Sequence, residues 1–186
     1  MRDLKGRIGS VASSEKITGA MKMISSAKMH KAESALRRVR PFRNQIQNTI
    51  NHLISADAEY SSPLTEIRPV KRRAIVLLSS DEGLCGAFNM NLFKRTLEII
   101  NQADDLATGE KVELNKPYLF EPDVNTIYNE VLPLYVLSSM QEAICSNRVS
   151  EQAARVMAMQ SANDNAKELL DELQLEYNKL RQQSIT

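Results

Sequence analysis

The sequence is poor in glycine, proline and aromatic residues, and it has no tryptophan. Its 186 residues include 6 Gly, 6 Pro, 5 Tyr, 4 Phe and 8 Met. A many-stranded sandwich or barrel needs more turn residues than this, so the composition favours long helices. No run of eighteen apolar residues occurs, so we expect no membrane-spanning helix. The first ten residues lack the apolar core of a secretory signal.

Cysteine is also scarce. Cys85 and Cys145 lie far apart in sequence without the spacing of a metal site, which indicates free thiols in a reducing compartment. A nucleophilic pair of Cys85 with His30 or His52 is the alternative. Both histidines lie in a helical pattern, however, and nothing in the sequence places them beside Cys85. We therefore predict no catalytic residue, no metal site and no cofactor.

The net charge of +1 is unevenly distributed. Residues 1–43 hold eleven Lys/Arg against three acids, a net of +8, whereas residues 44–186 hold thirteen against twenty, a net of −7. Such a split predicts an acidic partner for the basic half: nucleic acid, another subunit or the chain's own acidic half. The densest positive charge is a basic belt formed by Lys28, Lys31, Arg37, Arg38, Arg40 and Arg43.

Two long stretches have the alternating three-and-four spacing of a coiled-coil seam. The first seam consists of Ala32, Ala35, Val39, Phe42, Ile46, Thr49 and Leu53. The second consists of Val149, Gln152, Val156, Met159, Asn163, Ala166, Leu170, Leu173, Tyr177, Leu180 and Ser184. We predict two antiparallel helices, over residues 2–57 and from near Asp123 to the end, with Leu170, Leu173 and Leu180 largely buried between them.

The middle of the chain has an α/β pattern. The run Ala74–Ser80 (AIVLLSS) is typical of a buried strand of a parallel sheet, and residues 89–100 have helical spacing. Residues 101–116 hold no further strand, and one strand cannot form a sheet because its backbone groups need partners. We therefore expect that a segment between about Gln102 and Leu114 is missing from this chain.

The loop between this strand and helix is where α/β folds bind phosphate groups. It reads DEGLCG over residues 81–86, which is neither of the glycine-rich phosphate-binding motifs, and Asp81 and Glu82 would repel phosphate. A structural turn or a contact with another subunit is the favoured interpretation.

Four segments together resemble the gamma subunit of F-type ATP synthase, the central rotor shaft. They are KITGAMKMISSAK (16–28), VLLSSDEGLCGAFNMNL (76–92), SEQAARVMAMQSANDNA (150–166) and YNKLRQQSIT (177–186). A fifth, YLFEPD (118–123), resembles the family's entry into its last helix. The family's loop reads DRGLCGG, so Glu82 and Ala87 depart from it.

The resemblance implies a mainly α protein: a long antiparallel coiled coil of the N- and C-terminal helices beside an incomplete Rossmann-like α/β domain. We expect a shaft helix at 1–58, the α/β domain at 70–120, lacking a large segment near 102–114, and a second shaft helix at 123–186. The implied role is a rotor that couples ion-driven rotation of a membrane ring to ATP synthesis or hydrolysis in a surrounding ring of subunits.

The implied partners are three alpha and three beta subunits, the epsilon subunit and the membrane c-ring, with no nucleic acid. Membrane association would be peripheral, through the complex, at the cytoplasmic face of the bacterial inner membrane. The predicted subunit contacts are Met23, Lys28, Lys31, Asp81, Glu82, Arg155, Arg181, Gln182 and Thr186. We also expect Met23 to lie near Arg181.

Two other functions remain open from the residues alone. The basic belt suits a nucleic-acid-binding coiled coil, which salt-dependent DNA binding would support. The strand–loop–helix pattern suits an α/β nucleotide enzyme with helical extensions, which specific nucleotide binding would support.

Overall fold

A computed structural model describes residues 2–55, 69, 74–102 and 123–185. These residues form three helices: α1 (Arg2–Ser55), α2 (Phe88–Asn101) and α3 (Val124–Ile185). The predicted helices are confirmed to within two residues at every end that lies in the described part. α1 continues through Pro41 and α3 through Pro133. No helix in the described ranges combines the length and apolarity needed to cross a bilayer.

The predicted buried strand is wrong for the described residues. Residues 74–80 form no regular secondary structure, and no strand is assigned in the described part of the chain. Ile75, Val76 and Leu77 are exposed rather than buried. The physical reason is that a strand needs hydrogen-bonding neighbours, and the apolar run finds none among the described residues. The spatial jump expected between Gln102 and Leu114 lies outside the described residues.

The chain divides into two compact units. Unit 1 consists of residues 1–31, 80–91 and 148–186, and unit 2 consists of residues 32–79 and 92–147. The core of unit 1 contains Leu4, Ser25, Cys85, Arg155, Met159, Asn163 and Leu173. The core of unit 2 contains Leu36, Ile46, Ile50, Leu53, Tyr128 and Ser138.

The antiparallel arrangement is confirmed within unit 1. Asn163 of α3 donates a hydrogen bond from Nδ2 to the carbonyl of Glu15 in α1 at 2.7 Å. Further along α1, Ser25 and Lys28 border the same cleft as Gln152 and Arg155, which come earlier in α3. Residue numbers therefore rise along α1 while they fall along the facing part of α3, so the two helices are antiparallel.

Burial follows the second predicted seam only in part. Met159, Asn163 and Leu173 are buried and Leu170 is half-buried, but Leu180 is exposed. In unit 2, Ile46 and Leu53 of the first seam are buried, whereas Phe42 is exposed and the neighbours Leu36 and Ile50 are buried as well. A 3.6-residue period drifts across a strict seven-residue pattern, so the position of the facing element decides which residues are covered.

The start of α3 is capped by Asp123. Its carboxylate accepts hydrogen bonds from the Thr126 backbone N–H at 2.9 Å and the Thr126 hydroxyl at 2.6 Å. These bonds lower the pKa of Asp123, the hydroxyl bond contributing most. An N-cap carboxylate also interacts favourably with the positive end of the helix dipole. The Asp123 side chain therefore caps α3 close to where the sequence predicts that the helix begins.

Replacing Asp123 with Ala is expected to loosen the first turn of α3 in a pH-dependent way. Because the folded pKa lies below the ordinary value of 3.8, the stabilisation is present above that value and is lost as the pH falls through the folded pKa. Melting curves at neutral pH and at about pH 2 should show a wild-type advantage only at neutral pH. Asp123→Asn, which can cap without titrating, is the control; an advantage equal at both pH values would contradict the carboxylate cap.

Candidate functional site

The loop between residues 80 and 87 is held against α3 by one arginine. Arg155 Nε donates to the Gly83 carbonyl at 3.2 Å, and Nη2 donates to the carbonyls of Glu82 and Gly83, each at 3.2 Å. Nη2 also pairs with Glu151 Oε1 at 2.7 Å. The Arg155 side chain is only 6% exposed. A buried guanidinium is therefore compensated by a carboxylate and two backbone carbonyls, as a buried charge requires.

The loop itself has a fixed backbone shape. Leu84 has φ 62° and Gly86 has φ 59°, both in the left-handed region that a leucine adopts only when its surroundings impose it. Between them, Cys85 is buried, and its Sγ lies 3.6 Å from Ser80 Oγ and 3.8 Å from the Glu82 carbonyl. Cys85 anchors the turn through its small buried side chain, while Leu84 points its apolar side chain to the exterior.

A cleft of about 190 Å³ lies between α1, this loop and α3. It is bordered by Met21, Ile24, Ser25, Lys28, Glu82, Gly83, Leu84, Gln152 and Arg155. Two of its bordering atoms, Arg155 Nη1 and Gln152 Oε1, are buried without a hydrogen-bond partner among the described residues. A buried donor and a buried acceptor without partners are energetically costly, so both atoms are unusual features beside the cleft.

The structure brings several predicted contact residues into this region of unit 1. Lys28, Glu82 and Arg155 border the cleft. Met23 is exposed at 69%, and Lys31 and Asp81 are exposed too. Their role as subunit contacts stays a prediction. Arg155 has little exposed surface with which to contact another subunit, because its guanidinium is hydrogen-bonded to the carbonyls of Glu82 and Gly83.

The remaining predicted contacts lie elsewhere. Arg181 and Gln182 are exposed near the end of α3, and Thr186 lies outside the described residues. The prediction that Met23 lies near Arg181 is wrong. Ile24 borders the same cleft as Arg155, and Arg181 is 26 positions further along α3, or about 39 Å at 1.5 Å per residue. In the antiparallel register Arg181 reaches the level of the start of α1.

Part of the basic belt is paired inside unit 2. Glu142 forms ion pairs with Arg40 Nε and Arg43 Nε, both at 3.3 Å. The Arg43 guanidinium also lies 5.9 Å from the centre of the Tyr135 ring, a cation–π distance. Arg37 is 3.8 Å from Glu33 on its own helix. For Arg40 and Arg43, the acidic partner predicted for the basic half is therefore supplied by the chain's own acidic half, through Glu142.

Sequence reasoning missed the role of Arg155 as the clamp of the loop. A usable signal exists: Arg155 is four residues after Glu151, a helical ion-pair spacing, and it lies beside the seam position Val156. The buried bond from Asn163 to Glu15 was also missed, although Asn163 is a polar residue in an otherwise apolar seam. Both residues are polar groups whose partners come from distant parts of the chain.

Comparison with known proteins places these features in a family. The sequence model of a family described as ATP synthase matches residues 1–114 and 103–186, which together span the whole chain. The ATP synthase gamma chain of Phocaeicola vulgatus is 30% identical over 274 aligned positions, which cover all of this chain and 95% of the relative. The gamma chain of Methylococcus capsulatus is 31% identical over 270 positions, covering all of this chain and 94% of the relative.

The alignments also show a difference in length between this chain and its relatives. The 274 positions of the first alignment exceed the 186 residues of this chain by 88. At least 88 residues of that relative therefore face no residue here. The two matched stretches of the family model overlap at residues 103–114, soon after the end of α2.

Proposed function

The chain belongs to the ATP synthase gamma-chain family, and from that membership we propose which partners it contacts and how it acts on them. Its function is that of the central-stalk rotor subunit of an F-type ATP synthase. It has no catalytic site of its own, since catalysis lies in the beta subunits. The observation that carries this conclusion is the match of the whole chain to the family. The nucleic-acid-binding alternative has no support from the comparisons.

The partners we propose are three alpha and three beta subunits around the shaft, the epsilon subunit, and the membrane c-ring at its foot. The rotor is part of the peripheral portion of the complex, and we place it at the cytoplasmic face of the bacterial inner membrane. Its attachment to the membrane is indirect, through the other subunits. The sequence resemblance supports these finer assignments.

The mechanism follows from asymmetry and rigidity. A turning shaft presents a different face to each beta subunit in turn, and differential contact shifts the open–closed equilibrium of the site in that subunit. The contact surface must therefore move as one body with the shaft. Arg155 supports this in unit 1, because its three bonds to loop carbonyls fix residues 82 and 83 to α3.

We propose that the contact surface in unit 1 is the exposed rim around the cleft: Met23, Lys28, Lys31, Asp81 and Glu82. Charged residues of both signs at an exposed rim favour encounter and orientation rather than tight binding. An exposed ion pair is worth only about 0.2–1 kcal/mol. Weak contacts suit a rotor, since each must break as the shaft passes to the next subunit. Arg181, Gln182 and Thr186 would form a second contact at the end of α3.

We further propose the domain division of a shaft helix at 1–58, an incomplete Rossmann-like α/β domain at 70–120 and a shaft helix at 123–186. The segment missing near residues 102–114 is supported by the 88 extra positions of the relative and by the overlap of the two family matches at 103–114. The same absence accounts for an apolar run at 74–80 without a described strand beside it.

Co-purification tests the proposed partners. The affinity-tagged full chain is co-expressed with the alpha, beta and epsilon subunits of the same source. We expect the chain to be recovered with alpha and beta at one copy per three of each, and to remain bound when excess duplex DNA is added. Recovery of the chain alone, or its release by DNA, would refute the proposed partners.

Met23→Lys is expected to lower coupling between ATP turnover and ion pumping while leaving assembly intact. Met23 is 69% exposed, so the substitution removes little buried surface and should change stability by no more than about 0.5 kcal/mol. The added charge lies at the proposed contact surface and changes the contact in some rotary states more than in others.

The measurement compares the number of ions pumped per ATP hydrolysed in vesicles with the yield of assembled complex. Met157→Lys is the matched control, because Met157 is an exposed methionine of α3 in the same unit, at 65%. Equal losses of coupling and assembly in Met23→Lys, or equal uncoupling by Met157→Lys, would count against a specific contact at Met23.

A further inference from the structure

Asn163 is a buried polar residue between α1 and α3 of unit 1. It is 9% exposed, and it occupies a position of the second seam, where a coiled coil normally has an apolar side chain. Its Nδ2 donates to the carbonyl of Glu15 at 2.7 Å and to the hydroxyl of Thr18 at 3.3 Å. Both acceptors belong to α1, so one side-chain amide of α3 is bonded to two groups of the facing helix.

The close approach of α1 to Asn163 depends on Gly19. A Cβ placed on Gly19 would lie 3.4 Å from Asn163 Nδ2, at the lower edge of ordinary van der Waals contact. Gly19 is also four residues after Glu15, the spacing of a helical hydrogen bond, so its missing side chain leaves the Glu15 carbonyl approachable from α3. A Cβ on Gly6 or Gly9 of the same helix would meet nothing within 4 Å. Glycine is unfavourable inside a helix, and this contact gives position 19 a reason for it.

Apolar packing does little to fix the register of the two helices at this level. From residue 5 to residue 24, all of which the structure describes, no residue of α1 is buried. Ile17 and Ile24 are 59% and 56% exposed. A slide of α3 by seven residues, about 10 Å at 1.5 Å per residue, would present equivalent seam positions to α1. The two bonds of Asn163, in contrast, do distinguish one register from another.

Neither register displaced by seven residues offers Asn163 the same surroundings. In one of them Val11 takes the place of Thr18, and it has no hydroxyl to accept a bond. In the other Ser26 takes the place of Gly19, so a side chain stands where α1 now approaches closely. A polar residue at a single seam position specifies the register of a coiled coil, at a cost in stability. Asn163 has the surroundings of such a residue.

We propose that Asn163 sets the register of α1 against α3 in unit 1. Its bonds to Glu15 and Thr18 form together in one register, which determines the level of α3 that lies beside the proposed contact residue Met23. Asn163 is thus a positioning residue of the rotor, because it acts through the placement of Met23 and touches no other subunit itself. The link to coupling rests on the proposed function, whereas the register does not.

Distances between spin labels on the full chain test the register directly. The labels are attached through Ile17→Cys and Leu175→Cys, at positions that are 59% and 71% exposed. Cys145→Ser removes the more accessible native thiol, since Cys85 is buried. We expect one distance when Asn163 is present. Asn163→Leu should add a second distance that differs by about 10 Å, the axial displacement of a seven-residue slide.

Thermal unfolding separates positioning from a contribution to stability alone. Leucine packs better than asparagine at a seam position, so the melting temperature of Asn163→Leu should be no lower than that of the wild-type chain. A residue that only stabilised unit 1 would lower the melting temperature when replaced and would leave the single label distance unchanged.

Matched variants separate the position from the chemical change. Asn165→Leu makes the same substitution two residues later on α3, where the side chain is exposed, and should keep the single distance. On α1, Gly19→Leu fills the space beside Asn163 and should produce the second distance, whereas Gly9→Leu enters open space and should not. If Asn163→Leu does not fold, the comparison of Gly19→Leu with Gly9→Leu decides in its place.

Coupling is measured on the complex assembled with the other subunits. For Asn163→Leu we expect the number of ions pumped per ATP hydrolysed to fall at least about twofold, with the yield of assembled complex unchanged. Asn165→Leu should alter neither quantity. If the chain does not co-purify with alpha and beta, the rotor assignment falls, and the label distances on the chain alone still decide the register.

The proposal fails on any of three results. The first is a single, unchanged label distance in Asn163→Leu. The second is an equal response of Asn163→Leu and Asn165→Leu, which would make the effect one of helix composition rather than of position. The third is a second distance in Asn163→Leu without any loss of coupling, which would leave Asn163 no positioning role in the rotor.

Discussion

Replacing Leu173 with Ala is expected to lower the free energy of unfolding by about 3 kcal/mol, since truncating a buried leucine costs both transfer free energy and a cavity. Leu173 is 4% exposed in the core of unit 1. Leu175, two positions later on the same helix, is 71% exposed. Leu175→Ala makes the same chemical change with no buried surface to lose, so we expect an effect within about 0.5 kcal/mol.

Urea unfolding followed by circular dichroism measures both variants, with the slope on denaturant used to check that the unfolded surface is unchanged. The comparison removes differences in helix propensity, because both sites exchange leucine for alanine inside α3. Similar losses for the two variants would show that the burial of Leu173 does not contribute to the stability of the chain.

Replacing Arg155 with Ala is expected to have an effect of similar size, about 3 kcal/mol, because one partner of a buried ion pair is removed and the other is left without compensation. Glu151 would lose its guanidinium at 2.7 Å, and the carbonyls of Glu82 and Gly83 would lose their donors. The loop should then detach locally. We expect hydrogen exchange at residues 82–87 to accelerate more than exchange elsewhere in unit 1.

Arg95→Ala is the matched control. Arg95 also pairs with a glutamate on its own helix, Glu98, at 2.8 Å, but the two side chains are 66% and 57% exposed. An exposed pair contributes about 0.2–1 kcal/mol, so the two arginines differ in burial rather than in bond length. Arg155→Lys keeps the charge without the forked geometry and should fall between wild type and Arg155→Ala. If Arg155→Ala were no more destabilising than Arg95→Ala, the clamp would not hold the loop.

The sequence by itself determined the elements and the family. The spacing of apolar residues predicted all three helices, and the structure shows that Asp123 caps α3 close to where the helix was expected to begin. Helical periodicity and caps are local, so they can be read without knowing what the helix packs against. The four motifs identified the gamma-chain family, which the comparisons confirmed.

The sequence predicted only in part which helix residues are buried. The seam pattern correctly placed Ile46, Leu53 and Leu173 in the cores, but it also placed Phe42 and Leu180 there, and both are exposed. A helical pattern gives the face that is apolar, whereas the facing element decides which part of that face is covered and how far along the helix the cover extends. The apolar run at residues 74–80 shows the same limit, since a strand requires hydrogen-bonding neighbours that its own sequence does not contain.

Only the tertiary structure decided the site. From the sequence, Arg155 was predicted to contact another subunit. In the structure it is buried, because its guanidinium donates to carbonyls more than 70 positions earlier in the chain. The register of the antiparallel helices set the level of Met23 at Arg155 rather than at Arg181. The environment of a side chain depends on which backbone groups from distant parts of the chain contact it. Such contacts produce no periodic pattern in the sequence, so they cannot be predicted from it.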